Sequence, residues 1–148
     1  TGWRLGWLVV PERFARAIEK LAQNLFIAPS TPAQHAALAA FAPATLSILE
    51  GRRQEFKRRR DFLAPALEKL GFRLAARPEG AFYIYANCAA LTRDSDDFAR
   101  QLLESAGVAT TPGRDFGSNA PDKHLRFAYT TDVERLADAV DRIHRFLG

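Results

Sequence analysis

The sequence predicts an α/β chain in the α+β sense: a small sheet covered by helices, preceded by a strand and helices. Three observations predict it. After Gly71 the pattern reads strand, strand, helix, strand, strand, helix, which packs as one sheet with helices on a face. Before Gly71, apolar residues recur at helical spacing over most of the length. The first ten residues break that spacing with a run of bulky and β-branched side chains that Pro11 stops.

Each element has its own signal. Thr1–Val10 reads as a buried strand through Trp3, Leu5, Trp7, Leu8, Val9 and Val10, with Arg4 its only charge. A lone buried strand leaves backbone donors and acceptors unpaired, so it expects neighbours. Pro11 suits the first turn of a helix, where its missing N–H costs nothing. Phe14, Ile18, Leu21 and Leu25 then follow at helical spacing. Asn24–Pro32, with Pro29 and Pro32, reads as a loop, and the alanine-rich Ala33–Ala42 as a close-packed helix. Pro43 opens the next helix. Thr45–Leu70 carries an apolar stripe of Leu46, Leu49, Phe56, Phe62, Leu63, Leu67 and Leu70. Pro65 is expected to bend or interrupt it by removing a backbone donor, and Gly71 to cap it.

Phe72–Ala76 and Ala81–Ala86 read as strands around a turn at Arg77-Pro78-Glu79-Gly80. Ser95-Asp96-Asp97 opens a helix with an N-cap and two first-turn acids, and Gly107 ends it. Val108–Thr111 and His124–Tyr129 read as strands on either side of a glycine- and proline-containing loop, Pro112–Asp122. Thr131-x-x-Glu134 reads as a capping box for a last helix with Val133, Leu136, Ala137, Val140, Ile143 and Leu147 on one face.

Composition excludes several classes. The 148 residues are 47% hydrophobic and 26% charged, enough apolar surface to offset ordering entropy, so disorder is not expected. The longest apolar runs, Trp7–Pro11 and Ala36–Ala44, are far shorter than the roughly 20 residues of a spanning helix. Cys88 is the single cysteine and has no internal disulfide partner. No charged-then-apolar leader opens the chain, so a cytoplasmic location is expected. Methionine is absent, which suggests a piece of a longer protein.

Two arginines stand in apolar strands. A buried guanidinium is costly unless paired. Arg4 reads either as a strand-end residue that reaches solvent or pairs with Glu12, or as an anion ligand. Arg126 reads either as an exposed residue on an alternating strand with His124 and Ala128, or as an anion anchor at a site edge; alternation favours the first. The basic run Arg52–Arg60 reads as a solvated helix face, since Glu50, Glu55 and Asp61 are mixed into it and no nucleic-acid motif accompanies it. Cys88 reads as a packing residue, and His35 and His144 as packing or surface residues. No cluster has zinc or calcium spacing, and the glycines form no nucleotide fingerprint, so no metal site is expected.

The strings carry more than the pattern. Thr1-Gly2-Trp3-Arg4-Leu5-Gly6-Trp7 with Val10-Pro11-Glu12, then Gln23-Asn24-Leu25-Phe26-Ile27-Ala28-Pro29-Ser30, then Pro78-Glu79-Gly80-Ala81-Phe82-Tyr83 occur in this order. Gly107-Val108-Ala109-Thr110-Thr111-Pro112-Gly113-Arg114-Asp115-Phe116-Gly117 and Leu125-Arg126-Phe127-Ala128-Tyr129-Thr130 follow. Together they resemble the C-terminal portion of class I/II, fold type I, pyridoxal-phosphate-dependent aminotransferases, most nearly an aspartate-aminotransferase-like enzyme.

The resemblance implies amino-group transfer between an amino acid and a 2-oxo acid, with pyridoxal 5'-phosphate as cofactor and a homodimeric parent. It implies that Arg4 binds the cofactor phosphate, with Thr1 adding a hydroxyl, and that Arg126 grips the substrate α-carboxylate. Asn24 would approach the partner subunit's site. Phe82 would line the substrate pocket or belong to the core. Residues 1–42 would be a remnant of the large domain, 43–71 a connecting helix and 72–148 the small domain. The family's cofactor-bearing lysine would precede Thr1, and Lys20, Lys57, Lys69 and Lys123 do not match its position. The chain alone is therefore expected to be inactive. Alternatives are a ligand-sensing aminotransferase-like domain of a transcriptional regulator and a basic interaction module acting through Arg52–Arg60.

Overall fold

A computed structural model describes residues 2–148. Its helices are α1 (Glu12–Leu25), α2 (Thr31–Ala40), α3 (Pro43–Lys69), α4 (Ser95–Ala106) and α5 (Val133–Leu147). Its strands are β1 (Tyr83–Asn87), β2 (Thr111–Pro112) and β3 (His124–Ala128). Two short 3-10 turns, Gly113–Phe116 and Pro121–Lys123, link β2 to β3. The chain forms two compact units, one ending at Gly51 and the other running Arg52–Gly148.

The first unit is helical and leaves most of its apolar side chains exposed. Glu12 enters α1 directly after Pro11, and the apolar stripe is present, but Phe14, Leu21 and Leu25 are exposed. The expected loop gives way to helix sooner than predicted: Thr31 opens α2 with Pro32 in its first turn, where a proline lacks nothing. The strand expected over Thr1–Val10 does not form in its described part: Gly2–Val10 holds no strand, and Trp3, Trp7, Leu8 and Val9 all face solvent. A strand is stable only when its backbone groups are paired. The only sheet among the described residues is made elsewhere. Trp7 packs at a tilt against Phe41, with ring centroids 5.5 Å apart.

The second unit holds the core. β3 lies between β1 and β2, antiparallel to both, with Ile84 opposite Phe127 and Tyr85 opposite Arg126. Alternation then sorts the two faces. Ile84 and Ala86 of β1 and Leu125 and Phe127 of β3 point into the core. There they meet Leu63 and Leu67 of α3, Phe98 and Leu102 of α4, and Leu136 and Ile143 of α5. Cys88 is fully buried among them, and burial pushes its thiol up to about 11.

The helix ends explain several boundaries. α3 is not interrupted by Pro65; the helix runs through it to Lys69. It stops at Gly71, whose φ of +95° permits a Schellman closure: Phe72 N–H donates to Leu67 O at 3.1 Å and Gly71 N–H to Glu68 O at 3.0 Å. The α4 cap is Asp94, not Ser95: its carboxylate accepts from the Asp96 and Asp97 amides. The α5 cap is Asp132 rather than Thr131, accepting from the Arg135 amide at 2.8 Å. In both cases an aspartate side chain one residue away from the expected cap serves the same orphan donors. The expected strand Phe72–Ala76 shrinks to one bridge, Arg73 to Asn87, and that of Val108–Thr111 to β2 alone.

Candidate functional site: the outer face of the sheet

The sheet face opposite the core presents Tyr83 and Tyr85 from β1 and His124 and Arg126 from β3. Arg126 stands at its centre, opposite Tyr85 on one side and Thr111 on the other. Its Nη2 donates to Thr111 Oγ1 at 3.3 Å, while its Nε is buried without an acceptor. Two rings flank the guanidinium. Its Cζ lies 4.7 Å from the Phe116 centroid and 5.5 Å from that of Tyr83, inside cation–π range. No salt bridge engages Arg126 among the described residues. The site therefore holds an uncompensated, oriented guanidinium walled by rings, which suits a carboxylate or phosphate oxygen pair.

The walls are fixed by close packing. Tyr85 stacks on His124 with centroids 4.8 Å apart and planes 7° from parallel, and meets Phe116 edge-on at 5.9 Å. Burial raises the Tyr85 phenol above its ordinary value, so it stays protonated. His124 Nδ1–H donates to Ala120 O at 2.9 Å, which leaves Nε2 to accept from Asn87 Nδ2 at 3.4 Å. Gly113 admits no side chain: an added Cβ would lie 2.4 Å from Pro121 O and 2.7 Å from the Tyr85 hydroxyl. Ser95 Oγ donates to Pro121 O at 2.9 Å, and Arg114 pairs with Asp96 at 2.7 Å, so the loop carrying Phe116 is tied to the start of α4.

A second device holds the entry to β1. Ala81 adopts φ +61°, an uncommon conformation for a residue with a side chain. The Tyr129 hydroxyl, buried in the core, lies 3.0 Å from Gly80 O and 3.1 Å from Ala81 O, and its backbone N–H donates to Phe82 O at 2.8 Å. Phe82 itself is half-exposed and meets Tyr83 edge-on at 5.5 Å. Its ring is not part of the buried core.

The candidate residues thus divide between the units. Arg126 and Phe82 belong to the second. Arg4 and Asn24 belong to the first. Arg4 is exposed at φ +52°, not embedded in a buried strand, and has no salt bridge with Glu12 or any other acid among the described residues. Asn24 is exposed and donates to Lys20 O at 2.6 Å within its own helix. Thr1 lies outside the described residues. The rings of Tyr83, Tyr85 and Phe116 and the hydroxyl of Thr111 were not singled out by sequence. Tyr83 and Tyr85 two residues apart in a strand share a face, but which face carries Arg126 depends on register, and Phe116 arrives by a loop.

The basic run of α3 is largely self-neutralised. Glu55 binds Arg58 at 2.9 Å and Arg59 at 2.8 Å; Asp61 binds Lys57 at 2.8 Å and Arg60 at 2.7 Å. Hydrogen bonds from these cations hold both carboxyls down to about 2. His35 and His144 lie at the surface. Among the described residues no group of acidic, histidine or cysteine side chains could hold a metal ion, and no helix is long and apolar enough to cross a membrane.

A three-stranded antiparallel sheet with helices on one face matches the small C-terminal domain of fold type I aminotransferases. The sequence model of aminotransferase class I and II matches residues 1–143, and the chain belongs to that family. It is 35% identical over 147 residues to a valine–pyruvate aminotransferase of Mycobacterium tuberculosis, covering 99% of this chain and 38% of that protein. It is 37% identical over 150 residues to an aspartate/prephenate aminotransferase of Thermus thermophilus, covering all of this chain and 38% of that protein. Among solved structures, an aminotransferase from Mycobacterium tuberculosis superposes with a TM-score of 0.88 at 36% identity, over 99% of this chain and 38% of that one. An aromatic aminotransferase from Pyrococcus horikoshii gives 0.84 at 32%, over 99% and 39%. The chain thus spans well under half the length of the relatives it matches.

Proposed function

We propose that the chain is the C-terminal part of a pyridoxal-phosphate-dependent aminotransferase that moves an amino group between an amino acid and a 2-oxo acid. One observation carries the reading: Arg126 is oriented by Thr111 and two rings and is left without an acid partner. In this role its fork takes the substrate α-carboxylate and so fixes the orientation of the Cα–H bond, a positioning contribution to rate. Phe82, half-exposed and held by the Tyr129 clasp, lines the substrate side.

The donor chemistry present also fits the phosphate end of the cofactor. Arg4 is an exposed guanidinium with no salt bridge among the described residues, suited to a dianion, and Thr1 would add a hydroxyl. Bound pyridoxal phosphate supplies an electron sink for the charge released at Cα. Residues 1–42 are proposed as part of the large domain, 43–71 as the connecting helix and 72–148 as the small domain. The exposed Trp3, Trp7, Phe14 and Leu21 support a larger fold that covers this surface. Asn24 is proposed to face the active site of the partner subunit in a cytoplasmic homodimer.

None of Lys20, Lys57, Lys69 and Lys123 lies in the family's cofactor motif, and Lys57 is engaged by Asp61. The 148 residues alone are therefore proposed to be inactive. The test is transamination by the full-length enzyme containing this chain. Arg126→Ala is expected to lower kcat/KM by at least a hundredfold, in line with loss of a charge-assisted bidentate contact. An enzyme unaffected by that change, or an isolated 148-residue chain that transaminates, overturns the reading.

A further inference from the structure

The guanidinium of Arg126 is held in an unusual way. Buried or half-buried arginines are ordinarily steered by a carboxylate, which fixes the fork but also neutralises it. Here the only side-chain acceptor among the described residues is the Thr111 hydroxyl, at 3.3 Å, which is long for a bond meant to fix direction. The remaining contacts are ring faces, Phe116 at 4.7 Å and Tyr83 at 5.5 Å. Ring faces restrict a planar cation without cancelling its charge. Nε is buried and has no acceptor. Phe116 is in turn braced edgewise by Tyr85, and its loop is tied to α4 through Arg114–Asp96 and to the sheet through the tight approach at Gly113.

From this geometry we propose that Phe116 is a positioning residue for the carboxylate subsite: its ring orients the Arg126 fork while leaving the full positive charge for the ligand. The proposal rests on the reading of Arg126 given above. It predicts that an aromatic ring, and not merely apolar bulk, is needed at position 116. Phe116 is 45% exposed, so replacing it leaves the core untouched.

The test uses the full-length enzyme containing this chain, with propionate as the carboxylate probe and the Arg126 side-chain N–H resonances as the readout. In the wild-type enzyme these signals are expected to be displaced by ring currents and to move on adding propionate. In Phe116→Leu the ring-current displacement shrinks to the part due to Tyr83 and propionate affinity falls about fivefold, the scale of one partly exposed cation–π contact. Phe116→Tyr restores both. Thr111→Val, which leaves the rings in place, keeps the ring-current displacement. Equal propionate affinity in the wild type and Phe116→Leu overturns the positioning role while the carboxylate role of Arg126 stands. Failure of the wild-type enzyme to respond to propionate overturns the carboxylate role, and the positioning role with it.

Discussion

The two units of this chain use similar sequence patterns to opposite effect. Helix α1 has a regular apolar stripe, and so has α5. In α5 the stripe is inside, with Leu136 and Ile143 buried against the sheet. In α1 the same spacing leaves Phe14, Leu21 and Leu25 in solvent, and the unit ending at Gly51 buries Ala33 alone among the described hydrophobic residues. Periodicity tells which face a helix would bury; it does not supply the surface that buries it. The opening segment teaches the same about strands: its composition fits a sheet interior, yet Val9 is 93% exposed.

The largest expected effect sets the two regions against each other directly. Leu67→Ala, at a fully buried position in α3, is expected to cost about 2–5 kcal/mol by opening a cavity. Leu21→Ala in α1, at a position 60% exposed, is expected to stay within about 0.5 kcal/mol. Urea unfolding of both variants checks the pair, and equal costs would show that the first unit is packed in solution.

A backbone version of the contrast is smaller. Gly113→Ala drives a methyl group to 2.4 Å from Pro121 O, and overpacking of this kind costs about 1–3 kcal/mol. Gly51→Ala, in an α3 position with open space around it, is expected to add about 0.5–1 kcal/mol through better helix propensity. Thermal midpoints moving in opposite directions are the expected signature; two downward shifts would place an unseen neighbour over Gly51.

The smallest effect is one of pH. Glu55 and Asp61 are held down to about 2 by their arginine and lysine partners, against ordinary values of 4.5 and 3.8. A depressed folded-state value contributes stability above the unfolded value and loses it as pH falls toward the folded one. The second unit is therefore expected to keep its stability down to about pH 4.5 and lose it between there and about pH 2. Glu55→Gln should remove part of that slope. An unchanged slope would mean that these pairs persist equally in the unfolded chain.

Much of the second unit is legible in the sequence. Gly71 and Gly107 fell where helices end, because a positive φ is what those ends require. Leu136 and Ile143 fell inside because a 3.6-residue period fixes a face. The cap at α5 slipped by one residue because Thr131 and Asp132 both carry an acceptor, and only backbone geometry chooses between them. Of the site, Arg126 was legible as a charge on an alternating strand; its role toward a carboxylate is what the family resemblance implies and is proposed above. Its surroundings were not legible. The pairing of Tyr85 with Arg126 depends on register, and the approach of Phe116 depends on a loop whose path is set by Gly113, Ser95 and Asp96.

The single thiol of Cys88 has a practical consequence. It is fully enclosed by the second unit's core, and its raised proton affinity keeps it inert at neutral pH. A thiol reagent can consume it only during moments when that core is open. The molecule thus carries its own clock: labelling speed at low reagent reports how often the core opens, and the plateau speed at high reagent reports how fast it does so, with no probe added to the sequence.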